Sequence, residues 1–306
     1  MTTPDQASRS TATAGLPAPI RAALWYVGAL SLWGASAGMV RYATLELPAI
    51  ELGFLRALFG AVLMVPWLIR GRIFPLPRRH FGTYLLRGVV EVIAIATWFL
   101  SLAVLQAADV VALGFTMPLF ATLLAALFLG ERLRLRRAAA ILVGLLGALL
   151  VMKPGGGDAG WWAVVPVVGA VAVAGSRITG RVLARQGEPM VTVIASLGFI
   201  TAPLLLVPAL FVWQWPSLSV LLMALAITVV SLAGHVLMIW ALRLGEASAL
   251  VPYEFTQLLA TVAFGVIMMG EWPDHWTWIG SAVILCAGIY IVRREAALAK
   301  AGAVQR

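Results

Sequence analysis

Apolar residues in this chain fall into ten long runs, and polar residues collect in the short gaps between them. The runs cover residues 20–42, 48–69, 81–105, 108–130, 135–153, 160–183, 189–213, 217–242, 247–270 and 275–293. A helix needs about 20 apolar residues to cross a hydrocarbon core about 30 Å thick, and each run is close to that length. The gaps hold breakers and charges, as in "RGRIFPLPRRH", "GERLRLRR", "KPGGGDAG" and "WQWPS". The expected fold is therefore all-α and membrane-integral, with ten spans. Residues 1–19 are polar and rich in Ser, Thr, Ala and Pro, and read as a disordered cytoplasmic tail. The first run is too long for a signal-peptide core and no clear cleavage site follows it, so it is expected to be retained.

Composition agrees with lipid as the solvent. The 306 residues are 62% hydrophobic and 11% charged, against about 25% charged in a soluble domain. The net charge of +9 does not argue for nucleic acid, because the basic residues lie in the gaps. Seventeen of the Lys and Arg fall on one side of the predicted topology, and Arg41 and Lys153 alone fall on the other. That asymmetry places both termini in the cytoplasm. Trp161, Trp162, Trp213, Trp215, Trp272, Trp276 and Trp278 gather on the opposite side, as an interfacial belt. The single cysteine, Cys286, makes no internal disulfide and reads as a small core residue. His80, His235 and His275 show no metal-ligand spacing, and neither a metal nor a cofactor is expected.

The chain also repeats itself. "VLQAADVVALGFTMPLFATLLAALFLGE" (104–131) lies over "LGEASALVPYEFTQLLATVAFGVIMMGE" (244–271) without a gap. Gly130-Glu131 falls on Gly270-Glu271, Thr116 on Thr256 and Ala107 on Ala247. With one more residue of offset, Gly34 falls on Gly175 and Pro48 on Pro189. Five spans per half is an odd number, so the second half is expected upside down relative to the first. Inverted repeats are a transporter signature, with the solute site at mid-membrane between the halves.

With its helix-four block "FTMPLFATLLAALFLGERL", its "LLRGVVE", and "ALVPYEFTQLLATVAFGVIMMGEWPD" followed by "WIGSAVILCAGIYIV", the chain resembles the ten-helix drug/metabolite transporter superfamily, of the type with two EamA domains. The resemblance covers roughly residues 20–295. It implies one five-helix repeat over 20–153, a linker at 154–159, a second repeat over 160–295 and a cytoplasmic tail at 296–306. It further implies a basket of helices around a central cavity, lined mainly by spans 1, 3, 4, 6, 8 and 9, with spans 5 and 10 toward the periphery. The family includes exporters and importers.

An ionisable group deep in a span costs a few kcal/mol unless it faces water or a partner. Glu51, Arg56, Arg87, Glu91, Arg177, His235 and Glu254 are in that position. Glu51 sits in the first turn of its span, where a helix N-terminus favours an anion. Arg177, about one turn from the cytoplasmic end of span 6, is expected to snorkel. At 1.5 Å per residue, Arg56 lies about 12 Å below the outer end of span 2 and Glu91 about 16 Å above the inner end of span 3, nearly the same level. Arg87, Glu254 and His235 lie within about a turn of one another in height, on spans 3, 9 and 8.

Arg87 and Glu91 share a helix face. Either they pair with each other, or each reaches across the cavity: Arg87 to Glu254 or a solute carboxylate, Glu91 to Arg56. The second reading leaves no charge unpartnered at depth. Trp98 continues the face of Glu91 and is a candidate floor for a planar or cationic group. Thr228, Ser231 and His235 form a thin polar stripe on span 8, and Ser231 is the repeat equivalent of Glu91. Glu254 and His235 are the groups available to carry a coupling proton. Gly34 and Gly38 form a small-xxx-small pair suited to close helix packing. Pro118 and Pro252, with Gly114 and Gly265, are candidate flex points.

No phosphate loop, hydrolytic triad or zinc-protease pattern is present, so direct ATP coupling and such catalysis are not expected. The expectation is a secondary transporter of a small polar solute, amino-acid-like, zwitterionic or carboxylate, in a bacterial inner membrane. Its partners are that solute and the lipid bilayer, not nucleic acid, with a homodimer as an allowed assembly. The rivals are a membrane-embedded enzyme acting on a lipid-linked substrate and a passive channel.

Overall fold

The computed structural model describes residues 17–70, 80–129, 135–153 and 160–304. The N-terminal tail, the Gly130-Glu131 motif, the linker and most of the basic loops at 70–79 and 130–137 lie outside the described residues or their side chains. The described chain is helical: α1 (Ala18–Ala43), α2 (Ala49–Arg70), α3 (Phe81–Val104), α4 (Ala107–Gly114), α5 (Met117–Leu129), α6 (Leu135–Met152), α7 (Val164–Arg185), α8 (Met190–Phe211), α9 (Leu218–Leu244), α10 (Ala247–Leu250), α11 (Phe255–Met269) and α12 (His275–Val304). Among the described residues, eight helical stretches are long and apolar enough to cross a membrane, and two shorter apolar helices, Ala138–Met152 and Ser196–Phe211, accompany them. The protein is a multi-pass membrane protein.

Helix ends follow local chemistry. Pro17 precedes α1, with Pro19 in its first turn, where a missing N–H is harmless. Ser217 caps α9 by accepting the Val220 N–H. Asp274 does the same for α12, accepting the Thr277 N–H at 2.9 Å. Gly270 ends α11 at φ +68°. Its N–H reaches the Val266 carbonyl, the bond of an αL cap that glycine allows, and the Glu271 N–H reaches the Gly265 carbonyl. This turn aims Glu271 back at the bundle.

The fourth and ninth runs are each broken. α4 gives way to α5 at Phe115–Thr116, just before Pro118, and a 3-10 turn, Val251–Glu254, containing Pro252 separates α10 from α11. Pro203 and Pro208, by contrast, sit inside an unbroken α8.

The main contacts are α1 with α9 and α11, α3 with α7 and α8, α5 with α7, α2 with α8 and α9, α6 with α12, and α4 with α11. Exchanging the two halves of the chain turns α1–α9 into α3–α7, α1–α11 into α5–α7 and α3–α8 into α2–α9, whereas the α2–α3 contact has no counterpart of like extent. Glycine makes the tightest crossings. A Cβ on Gly34 would stand 2.6 Å from the Gln257 carbonyl oxygen, and one on Gly38 2.7 Å from Phe264 Cβ, so the small pair on α1 admits α11 as expected. Gly147 and Gly280 do the same for α6 and α12: a Cβ on either would meet the other's carbonyl oxygen at 3.0 or 2.6 Å. Cys286 does not sit in the core. It is exposed, because α12 turns Gly280, Ile284 and Ala287 toward α6 and Cys286 falls outside that stripe.

Candidate functional site

The charged residues predicted from the sequence separate into two groups. Arg87 belongs to a fastening at one end of α3. It is buried, at 9% exposure, and donates through Nη1 to the Val193 carbonyl of α8. Gly180 of α7 lies against its guanidinium. One turn earlier, the Tyr84 hydroxyl donates to Glu188 at 3.0 Å, and His80 Nε2 lies 3.9 Å from the same carboxylate. Arg87 therefore hydrogen-bonds neither Glu91 nor Glu254, although Glu91 lies within its electrostatic reach. Its Nε is buried with no hydrogen-bond partner among the described residues. Glu51 is likewise sealed, at 0% exposure, with one oxygen accepting the Gln214 N–H at 2.9 Å.

The second group faces the middle of the bundle. Glu91 on α3 lies within electrostatic reach of Arg56 on α2, His235 on α9 and Arg177 on α7. Arg177 in turn faces Glu254 and Tyr26. Arg56, Glu91 and Arg177 make no hydrogen bond or ion pair within 4 Å among the described residues. None of these three is sealed: Arg56 and Glu91 are half-buried and Arg177 is exposed. A charge unpaired at such depth has to be hydrated. Elements of both halves, α2, α3 and α7, thus bring these residues together as candidate lining of the central cavity. Arg56 adds span 2 to the wall the resemblance implied.

His235 and Glu254 are held in place. His235 Nδ1 donates to the Ser231 carbonyl at 2.7 Å, which fixes the tautomer. Its ring meets Trp33 edge-on at 4.9 Å, and Trp33 Nε1 donates to the same carbonyl at 3.2 Å. Gly234 is what lets the indole in, because a Cβ there would stand 2.5 Å from Trp33 Nε1. Ser231 and Ser36 share a hydroxyl–hydroxyl bond of 2.9 Å. Glu254, at the end of the 3-10 turn, accepts the Tyr26 hydroxyl at 3.3 Å. Thr228 turns its hydroxyl to its own helix, donating to Ala224. Trp98 packs against the main core, its ring edge 3.6 Å from where a Cβ on Gly114 would lie.

Tyr26, Trp33 and Ser36 were not singled out from the sequence, and Arg177 was expected to snorkel. The repeat held a signal for two of them. The offset that lays Gly34 on Gly175 also lays Ser36 on Arg177, and Ser231 matches Glu91. The Ser36–Ser231 contact between α1 and α9 thus corresponds to Arg177 facing Glu91 between α7 and α3.

At the opposite end from the Glu188 fastening, Arg41 Nε and Nη2 donate to Glu271 at 3.0 and 2.9 Å, and its Nη1 donates to the carbonyls of Leu102 and Ala103. Lys153 Nζ lies 2.6 Å from Asp274, and the Thr277 hydroxyl bonds both Asp274 and Asp109.

A model of the EamA-like transporter family matches residues 20–153 and again 160–294. A riboflavin transporter of Vibrio cholerae is 28% identical, covering 90% of this chain and 94% of the relative. A pseudopaline exporter of Pseudomonas aeruginosa is 30% identical over 84% and 90%, and an S-adenosylmethionine uptake transporter of Rickettsia bellii is 23% identical over 89% and 93%. One solved structure superposes with a TM-score of 0.59 at 20% identity, covering 89% of this chain and 98% of its own, a likeness of fold. Matched over both halves, the chain belongs to the EamA-like transporter family.

Proposed function

We propose that this chain is a secondary transporter that moves a small polar metabolite across the plasma membrane by alternating access. The moving parts are two inverted five-helix repeats, residues 20–153 and 160–295, and both termini lie in the cytoplasm. The observation that carries this reading is the cluster of Arg56, Glu91 and Arg177, unpaired among the described residues and none of them sealed, which we read as the lining of a wet cleft. A fold with no use for water at that depth would pair such groups or omit them. Three further features support it: three of the main helix contacts exchange with three others when the halves are exchanged, the relatives are named as transporters, and the ninth run breaks at Glu254, which faces Arg177.

The cleft presents both signs of charge. It suits a zwitterionic, amino-acid-like or carboxylate solute, bound by Arg56, Glu91, His235 and Glu254, with Ser231 and Trp98 in the surrounding wall and Arg87 holding α3 in register beside them. Glu254 and His235 are the candidate proton carriers.

The test is solute counterflow in proteoliposomes containing the purified protein, starting with riboflavin and S-adenosylmethionine, which relatives are named for. A carrier shows trans-stimulation that Glu91→Gln abolishes. Flux without trans-stimulation would make the protein a channel, and product formation in detergent would make it an enzyme.

A further inference from the structure

We propose that Arg177 is the anion-selecting residue of the cleft, and that Glu254 stands in as its counter-ion until a solute carboxylate or phosphate replaces it. The inference rests on the transport reading of the same cleft and deepens it. Arg177 sits on α7, eight residues, or about 12 Å, before the end of that helix. It is exposed, yet Glu254, Tyr26, Glu91 and Arg181 all lie within electrostatic reach. Its guanidinium has five donors, and none of them bonds a described residue. Arg87 of α3, whose guanidinium lies against Gly180, less than one turn from Arg177 along α7, shows the alternative: it is buried and docked on a backbone carbonyl.

The carboxylate facing Arg177 is restrained rather than free. Tyr26 on α1 donates to Glu254 Oε1 at 3.3 Å, which keeps the carboxylate near the guanidinium without closing a salt bridge on it. A planar guanidinium with a free fork matches carboxylate and phosphate oxygens, which can take two parallel bonds. The repeat adds a second, independent argument. Its counterpart position holds Ser36, whose neutral hydroxyl is already bonded to Ser231. The Arg177–Glu91 pair between α7 and α3 is therefore charged where its counterpart between α1 and α9 is a neutral hydroxyl pair, and a solute entering the cleft is oriented by its anionic end.

The test reads the local charge without knowing the solute. Cys286→Ser removes the one native thiol, and Val173→Cys, one turn from Arg177 on the same helix face, places a reporter there. Two methanethiosulfonates of similar size are compared in the full-length protein in proteoliposomes, the anionic sulfonatoethyl and the cationic trimethylammonioethyl reagent. The ratio of anionic to cationic labelling rates is expected to fall about tenfold in Arg177→Gln, the effect of removing one charge at close range in a poorly screened site. It should be retained in Arg177→Lys and rise in Glu254→Gln, where the competing carboxylate is gone. Acetate or phosphate should slow the anionic reagent and choline chloride at equal ionic strength should not; the more effective of the two anions names the group the solute carries.

A ratio indifferent to both Arg177→Gln and Glu254→Gln, or anion labelling slowed equally by choline, overturns the proposal while leaving the cleft standing. A second reporter, His235→Cys, separates the two readings: failure of both reporters to label with either reagent overturns the wet cleft itself. If Arg177→Gln does not insert, Glu254→Gln and the anion protection in Val173→Cys alone still decide the matter.

Discussion

Arg41 and Glu271 stand 230 positions apart in the chain and meet through two hydrogen bonds, at 3.0 and 2.9 Å, to one carboxylate oxygen. The same guanidinium holds the last carbonyls of α3. One side chain therefore ties α1, α3 and the end of α11 together, across both halves of the protein. The pair is mostly buried, with exposures of 14% and 17%, so removing one partner strands the other. Arg41→Ala should lower stability by about 1–3 kcal/mol, below the cost of breaking a fully buried pair. Arg41→Lys should recover little, since an ammonium cannot serve a carboxylate and two carbonyls in that planar arrangement. Thermal unfolding in detergent checks both.

The glycines give a contrast within one protein. Gly34→Ala drives a methyl to 2.6 Å from the Gln257 carbonyl oxygen and 2.7 Å from Ala260 Cβ, against backbone that cannot swing away. It should cost about 1–3 kcal/mol and reduce transport by prising α1 from α11. Gly288→Ala, which would meet nothing within 4 Å, should be neutral or stabilise by up to about 1 kcal/mol through helix propensity. Equal effects of the two substitutions would show that the α1–α11 crossing is not close-packed.

Acid should act first at the loop before α12. Burial pushes the Asp274 carboxyl up, but its bond to Lys153, its two bonds from Thr277 and the Lys153 charge outweigh that and hold it below the usual carboxylate range. A folded value below the unfolded one, about 3.9, means the pair stabilises the fold fully above that pH and loses its effect as pH falls through the lowered value. The difference in melting temperature between the native chain and Asp274→Asn should thus be flat from pH 5 to 8 and close toward zero below about pH 4. The effect is a small one, because Asp274 is 38% exposed.

Much of this was legible in the sequence, for reasons that also explain the rest. Lipid demands about 20 apolar residues per span, so the helices were readable, as were the breaks at Pro118 and Pro252. Arg56, Glu91, His235 and Glu254 stood out because a charge in hydrocarbon needs a reason. Depth gives only height, not which face a residue is on, and so it shows neither that Arg177 faces Glu254 and Tyr26 nor that Arg87 docks on the Val193 carbonyl. Tyr26, Trp33 and Ser36 were hidden because aromatic and small residues in a membrane helix usually signify packing. Cys286 was misjudged because a run apolar all round does not show which stripe faces its neighbour.

Arg56 and Glu91 face each other across α2 and α3 without a hydrogen bond. If they serve only to neutralise each other, Arg56→Gln and Glu91→Gln together should restore much of the transport that either one removes. If both touch the solute, the double substitution should be at least as damaging as the worse single one. The cleft reading favours the second outcome, and counterflow with all three proteins measures it as a double-mutant cycle.

Glu254→Gln distinguishes coupling from binding. Glutamine keeps the length of the side chain and an oxygen to accept the Tyr26 hydroxyl, but it cannot take up or release a proton. If Glu254 carries the coupling proton, the substitution abolishes flux driven by a pH gradient and spares exchange of solute for solute, because exchange never requires the empty carrier to return. The same separation follows if Glu254 is the counter-ion of Arg177, since the empty cleft would then be left with an uncompensated guanidinium and would reorient slowly in the absence of solute. The two roles diverge when solute is absent from the far side and no pH gradient is applied. A proton carrier leaves that downhill efflux independent of the pH at which it is measured, whereas a lost counter-ion makes it slow at every pH and lets an added anion such as acetate restore it. Loss of exchange together with driven flux would instead make Glu254 a group that binds the solute directly or holds the α10–α11 break in shape, and the Tyr26→Phe protein would separate those, because only the second depends on the hydroxyl.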